Sequence, residues 1–285
     1  MTGAATRPKS APHVTLVLTR TPYDEFVYEM NWKTKSLDVE DDVEGNSPEW
    51  WTERFQRNAP YIRANRPKII ASALWGTLAV FKGAKVLSCT WAGTPPPFRM
   101  ITPATMLNDA MGQLAAAARG APPPPLATSH SFQMAGRTLQ LTTEPGGLSM
   151  IGLYTTIERF RDSLGQTGAT AYVQVRESPE PYRLYPQHGN TVVQTLRAGH
   201  NGRCLRIQQR VPAATARAKD TWKTLSILIH EAPAPQYVIG CIGPRPLGHK
   251  RMSENKDGNE AQVATEQVID AVEKIGGREG QLFVV

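Results

Sequence analysis

The chain has no apolar run long enough to cross a membrane, which excludes a transmembrane helix as its organising element. It also lacks an apolar signal-peptide core. Residues 1–12 are small, polar and proline-containing, which predicts a disordered leader and synthesis in the cytoplasm. Cysteine is scarce: Cys89, Cys204 and Cys241 make an odd count with no close pair. That argues against a disulfide scaffold or a zinc knuckle and leaves at least one thiol free. Positive charge is not gathered into a stripe. The net charge of +7 comes from scattered Lys and Arg without interleaved aromatics, so nucleic acid is not an expected partner. An anionic polymer such as the carboxylate-rich bacterial wall stays compatible with it. The one acidic run, Asp38, Glu40, Asp41, Asp42 and Glu44, reads as a solvated loop, with no shaped acid/base pair of the glycosidase kind.

What is present is an ordinary globular composition of 285 residues with 23 prolines and 23 glycines, enough to bury a substantial core. Alternating and β-branched stretches predict strands near 14–19, 77–81, 85–91, 171–176, 191–196, 204–209 and 225–230, with Leu139 to Thr142 a further candidate. Phe26 to Trp32 is expected to pair with the first strand, and 77–91 to form a hairpin about Lys82-Gly83-Ala84. Helices are expected near 48–57, 103–118, 150–164 and 260–275; Leu153, Ile157, Phe160 and Leu164 recur at helical spacing in the third. Ser178 to Pro186 reads as a Pro-rich loop, and Pro122 to Pro125 as a stiff extended connection within one domain. The fold class is mainly β with α insertions, an α+β arrangement.

The segment that carries chemistry is Leu225-Ser226-Ile227-Leu228-Ile229-His230, followed by a Pro-broken loop and Gly240-Cys241-Ile242. A short buried strand delivers His230 at its end, and a second apolar strand starts at the cysteine. A thiol nucleophile needs these two groups: sulfur to attack, and imidazole to hold the thiolate or carry its proton. Gly240, with no Cβ, would let a substrate carbonyl approach the backbone beside an oxyanion site.

This order of strand, histidine, loop and Gly-Cys resembles the active-site segment of the L,D-transpeptidase fold. It is closer still to a related family of phage and bacterial proteins, in which Leu-Ile-His precedes the cysteine of Gly-Cys-Ile by eleven positions. Leu228-Ile229-His230 and Gly240-Cys241-Ile242 stand at that separation. Gly76-Thr77-Leu78, Gly83 and Cys89-Thr90 similarly resemble the family's opening strands. The chain departs from the pattern where Tyr237-Val238-Ile239 replaces the usual Ser-His or Asp-Thr before Gly-Cys, and where Ala232-Pro233 replaces Gly-Asn.

The resemblance implies an L,D-transpeptidase-like β-sandwich or barrel core over residues 13–285, with insertions at about 32–70 and 98–165. It implies a cysteine enzyme that processes peptidoglycan stem peptides, as an L,D-carboxypeptidase or L,D-transpeptidase, without metal or organic cofactor. Cys241 would attack, His230 would activate it, and Arg245 or Arg251 would grip a substrate carboxylate, with Tyr237 also near the substrate. The other reading of either arginine is a solvated surface charge. Such a protein would act in the periplasm after delivery by a type VI secretion apparatus or by phage lysis, and a secreted toxin would need an immunity protein as partner. Because the polar residues before Gly240 are missing, a binding or structural module of the same fold, without chemistry, is the alternative. A third reading pairs Cys89 with His130 or His188, the cysteine-then-histidine order of papain-like amidases. For the missing orienting group of His230, the expectation is a backbone carbonyl from the loop Ala232 to Val238 or from an adjacent strand.

Overall fold

The structure, a computed structural model, describes residues 12–31, 36–39, 68–93, 127–163, 175–178, 180–190, 202–213, 220–232, 238, 241–250 and 257–285. Its main body is one long sheet that curls until its ends meet. The staves are β1 (His13–Asn31), β3 (Lys68–Gly83), β7 (Leu148–Ser163), β8 (Tyr182–Gln187), β9 (Cys204–Val211), β10 (Thr221–Ile229), β11 (Ile242–Pro246) and β12 (Gly280–Val284). They follow the order β12-β8-β9-β10-β11-β7-β3-β1, and β1 then pairs in parallel with β12, which closes an eight-stranded barrel. A ninth strand, β2 (Ser36–Val39), pairs only with the far end of β1. Among the described residues the protein is mainly β with one helix. Closure pairs the two end strands of the barrel sheet with each other.

Alternation explains the two cores. Val14, Leu16 and Leu18 of β1 face inward with Leu78, Val80, Leu184, Leu205, Ile207, Ile227, Ile229, Ile242, Leu282 and Val284, which fill the barrel. Val17, Ala79, Phe81 and Phe283 point outward and are covered by a second layer. That layer is a three-stranded sheet of β4 (Val86–Trp91), β5 (Thr128–Met134) and β6 (Arg137–Thr143), which contributes Val86, Cys89, Met134, Leu139 and Leu141. The helix α1 (Asp257–Asp270) continues as a π-helical turn over Ala271–Ile275. A helix this short is marginal alone in water. Packing holds it, because Val268, Ile269, Ala271 and Val272 join the barrel core.

Several expectations are corrected. The stretch 150–164 is not a helix but β7, hydrogen-bonded to β3 on one side and β11 on the other. Its apolar residues fall at helical spacing only because both faces of Thr155 to Glu158 are buried, which erases the period-2 signal. The β-branched Thr155, Thr156 and Ile157 favour the extended form. This stave lies within the stretch 98–165 expected as an insertion, and its pairing with β3 crosses the Pro122–Pro125 segment. The hairpin over 77–91 does not form: β3 stays in the barrel while β4 pairs with β6 in the other layer. Phe26 to Asn31 continues β1 instead of pairing with it, after an irregularity between Arg20 and Glu25.

Ser178 to Pro186 is loop only at first; Tyr182 to Gln187 form β8, with Tyr182 and Leu184 inward. Pro186 lies beyond the residues paired to β12, where a missing N–H matters least. Val175 and Arg176 are irregular, and the rest of the strand expected at 171–176 lies outside the described residues. So do the helices expected at 48–57 and 103–118 and the strand at 191–196. The strands at 14–19 and 204–209 and the last helix stand as expected, and the strand expected at 225–230 ends one residue earlier, at Ile229.

Gly83 sets the crossing between layers. It has φ +147°, and a Cβ there would sit 2.1 Å from the Gly147 carbonyl oxygen. Both features demand glycine. Gly83→Ala is expected to cost about 2 kcal/mol or more in urea unfolding; an unchanged midpoint would show that the crossing tolerates a side chain.

Candidate active site

β10 places its last residues by alternation. Ile227 and Ile229 enter the barrel core, so Leu228 and His230 point to the outer face. The strand ends at Ile229, which lies beside Ile242 in the parallel β10–β11 pair. Just past that end, the His230 backbone N–H donates to the Ile242 carbonyl at 3.0 Å. The start of β11 therefore runs alongside the end of β10. Cys241, the residue before Ile242, arrives next to Leu228.

The close approach depends on Gly243. A Cβ on it would stand 2.3 Å from the Ala232 Cβ and 3.0 Å from Ile157 Cγ2, so only glycine lets the His230–Ala232 segment lie against β11. His230 is 1% exposed and Cys241 8%, with Glu231 and Ala232 buried between them in sequence.

One contact of the imidazole fixes its tautomer. His230 Nδ1 lies 2.8 Å from the Glu231 carbonyl oxygen. A carbonyl only accepts, so Nδ1 carries the proton and donates it, and in the neutral ring Nε2 keeps the lone pair. The orienting group is a backbone carbonyl, as expected. It comes from the next residue, not from the loop 232–238.

The other anticipated residues separate. Arg245 follows Cys241 by four positions on the same strand and is not a solvated surface charge: it is fully buried, with its guanidinium 5.7 Å from the centre of the Trp75 ring. At strand rise that puts it about 13 Å along β11 from the thiol. Gly240, Tyr237 and Arg251 lie outside the described residues.

Sequence reasoning gave no role to Cys204, which belongs to this neighbourhood. Leu205 pairs with Ile229, so Cys204 stands opposite His230 on the strand to its other side. Burial pushes its thiol up to about 11, opposed by Arg206 and reinforced by the negative charge Cys241 would carry. Outward alternation along β9 is the signal that could have revealed it.

The Cys89 reading is not assembled. Cys89 and His130 both pair with Leu141, one from each side of β6, which separates them by two strand spacings, about 9.5 Å. Burial pushes the Cys89 thiol up to about 12. His130 Nε2 meets Thr143 Oγ1 at 3.2 Å, and His188 lies against Glu273 at 2.9 Å.

Beneath Ile242 lies a buried ion pair of the barrel. Glu158, the β7 partner of Ile242, accepts two hydrogen bonds from Arg20, 3.0 Å from Nε and 2.7 Å from Nη2. Arg20 Nη1 also donates to the Val175 carbonyl at 2.6 Å. Glu158 is 2% exposed. Among the described residues no group of three His, Cys, Asp or Glu side chains is placed to hold a metal ion, and no helix is long and apolar enough to cross a membrane. Comparison with family models, with curated proteins and with solved structures finds no match to this chain.

Proposed function

We propose that the protein is a cysteine acyl-transfer enzyme of the L,D-transpeptidase type, acting on peptidoglycan stem peptides as an L,D-carboxypeptidase or L,D-transpeptidase. The observation that carries this reading is the juxtaposition of the end of β10 with the start of β11. His230 lies just past the end of β10 and Cys241 just before the start of β11, with the imidazole proton held on Nδ1 by the Glu231 carbonyl. In that tautomer Nε2 carries the lone pair that would take a thiol proton.

In the proposed reaction His230 takes the Cys241 proton as sulfur attacks the carbonyl before the terminal D-alanine. The S–C bond forms, the C–N bond breaks, and the imidazolium returns its proton to the departing amine. Water or the amine of a second stem then releases the acyl group. No metal or organic cofactor enters these steps. Arg251 and Tyr237 remain proposed substrate contacts, whereas the full burial of Arg245 argues against its reaching a substrate; delivery to the periplasm, with an immunity protein as partner, belongs to the same proposal.

The low exposure of Cys241 supports a second reading, a binding module of this fold without chemistry. Iodoacetamide alkylation across pH separates the two. A carbonyl orients the ring but supports imidazolium less than a carboxylate would. Wild-type Cys241 is expected to react below pH 8, and His230→Asn to react more slowly, with the deficit shrinking above the free-thiol value of about 8.5. Identical pH profiles for the two proteins would leave the binding module.

A further inference from the structure

The outer face of β8, β9 and β10 forms an open groove lined by Arg183, Tyr185, Gln187, Arg206, Gln208 and Trp222. It leads to the candidate thiol. Tyr185 pairs with Arg206, and Arg206 with Leu228, while Leu228 is the residue beside which Cys241 arrives. Tyr185, Arg206, Leu228 and Cys241 therefore form one row across four strands. Arg206 stands two strand spacings from the cysteine, about 10 Å between Cα atoms, within reach of a long side chain.

The polar groups in the groove are unequally satisfied. Arg183 is matched: it donates to both oxygens of Glu279, at 2.7 and 2.8 Å, and stacks on Tyr185 at 4.4 Å and Trp222 at 5.4 Å. Gln208 donates to Thr224 at 3.2 Å. Arg206 makes no hydrogen bond or ion pair with the described residues, and the buried Gln187 Oε1 has no donor. One uncompensated cation suits a monoanion, and a guanidinium fork fits a carboxylate. An unfilled acceptor beside it asks for an N–H. A carboxylate with an N–H close by is the end of a peptide chain.

We infer that Arg206 and Gln187 form a recognition site for the C-terminal residue of a peptide. The guanidinium takes the α-carboxylate, the Gln187 amide oxygen accepts that residue's N–H, and Tyr185 and Trp222 wall the groove. Under the acyl-transfer reading, on which this extension rests, the last peptide bond then lies toward Cys241. The enzyme acts at chain ends and not within cross-links.

Calorimetric titration of full-length Cys241→Ala protein with the stem tetrapeptide and with its C-terminal amide tests the site. The free acid is expected to bind roughly 10- to 100-fold more tightly than the amide. Arg206→Gln should erase that preference, Arg206→Lys should keep part of it, and Arg210→Gln should leave it whole. Equal binding of acid and amide, no binding of either, or a preference that survives Arg206→Gln overturns the inference. The outcome is independent of the thiol. An acid preference through Arg206 with an unactivated Cys241 keeps the site and removes the enzyme, and the reverse result does the opposite.

Discussion

Replacing Cys241 by alanine is expected to abolish stem-peptide turnover, lowering kcat/KM by ~10³-fold or more, while leaving the thermal midpoint nearly unchanged. The large effect follows from covalent catalysis, in which no neighbouring group substitutes for the attacking atom. The small structural effect follows from size: Cys to Ala removes one sulfur at a position 8% exposed. Cys89→Ala and Cys204→Ala are the controls, and they should retain most activity. Burial pushes their thiols up to about 12 and about 11, so at pH 8 both stay protonated. Alkylation at that pH followed by peptide mapping should therefore mark Cys241 first. Loss of turnover on Cys89→Ala in a folded protein, with Cys241→Ala active, would transfer the chemistry to the outer sheet. Activity in all three single variants would end the thiol mechanism.

The sequence made the candidate site more legible than the frame around it, for a physical reason. A strand that runs up to a histidine and a second apolar strand that follows a cysteine are local patterns, and β10 ends at Ile229 just before His230 while β11 starts at Ile242 just after Cys241. Which strands lie side by side is set by contacts distant in sequence. β1 pairs with β12 across nearly the whole chain, and nothing within either strand announces the partner. β7 was hidden differently: over Thr155 to Glu158 it is buried on both faces and flanked by β3 and β11, so alternation is lost there, and chance spacing mimics a helix. β5 alternates, with His130, Phe132 and Met134 turned toward the barrel, yet its polar residues conceal it. The burial of Arg245 was equally out of reach, because Trp75 is brought to it by the β3–β7–β11 registers.

The second large effect is expected away from the thiol, at Glu158. Its carboxylate is buried on the inner face of β7, next to Ile242, and both oxygens are taken by Arg20. Removing one member of such a pair leaves the other charge without a partner, which typically costs about 3–5 kcal/mol. Glu158→Ala should therefore lower the thermal midpoint by about 10 °C in a chain of this size. Arg20 would also lose the anchor that aims Nη1 at the Val175 carbonyl, so segment 175–178 should gain proteolytic sensitivity. The pair itself need not be worth that much, since its attraction is offset by the desolvation of both charges. The double replacement Arg20→Met with Glu158→Leu is accordingly expected to recover most of the loss. Thermal unfolding of the two single variants and the double variant decides the matter. If each single variant unfolds within about 1 kcal/mol of wild type, water reaches the pair, and the barrel is open beneath Ile242 rather than sealed.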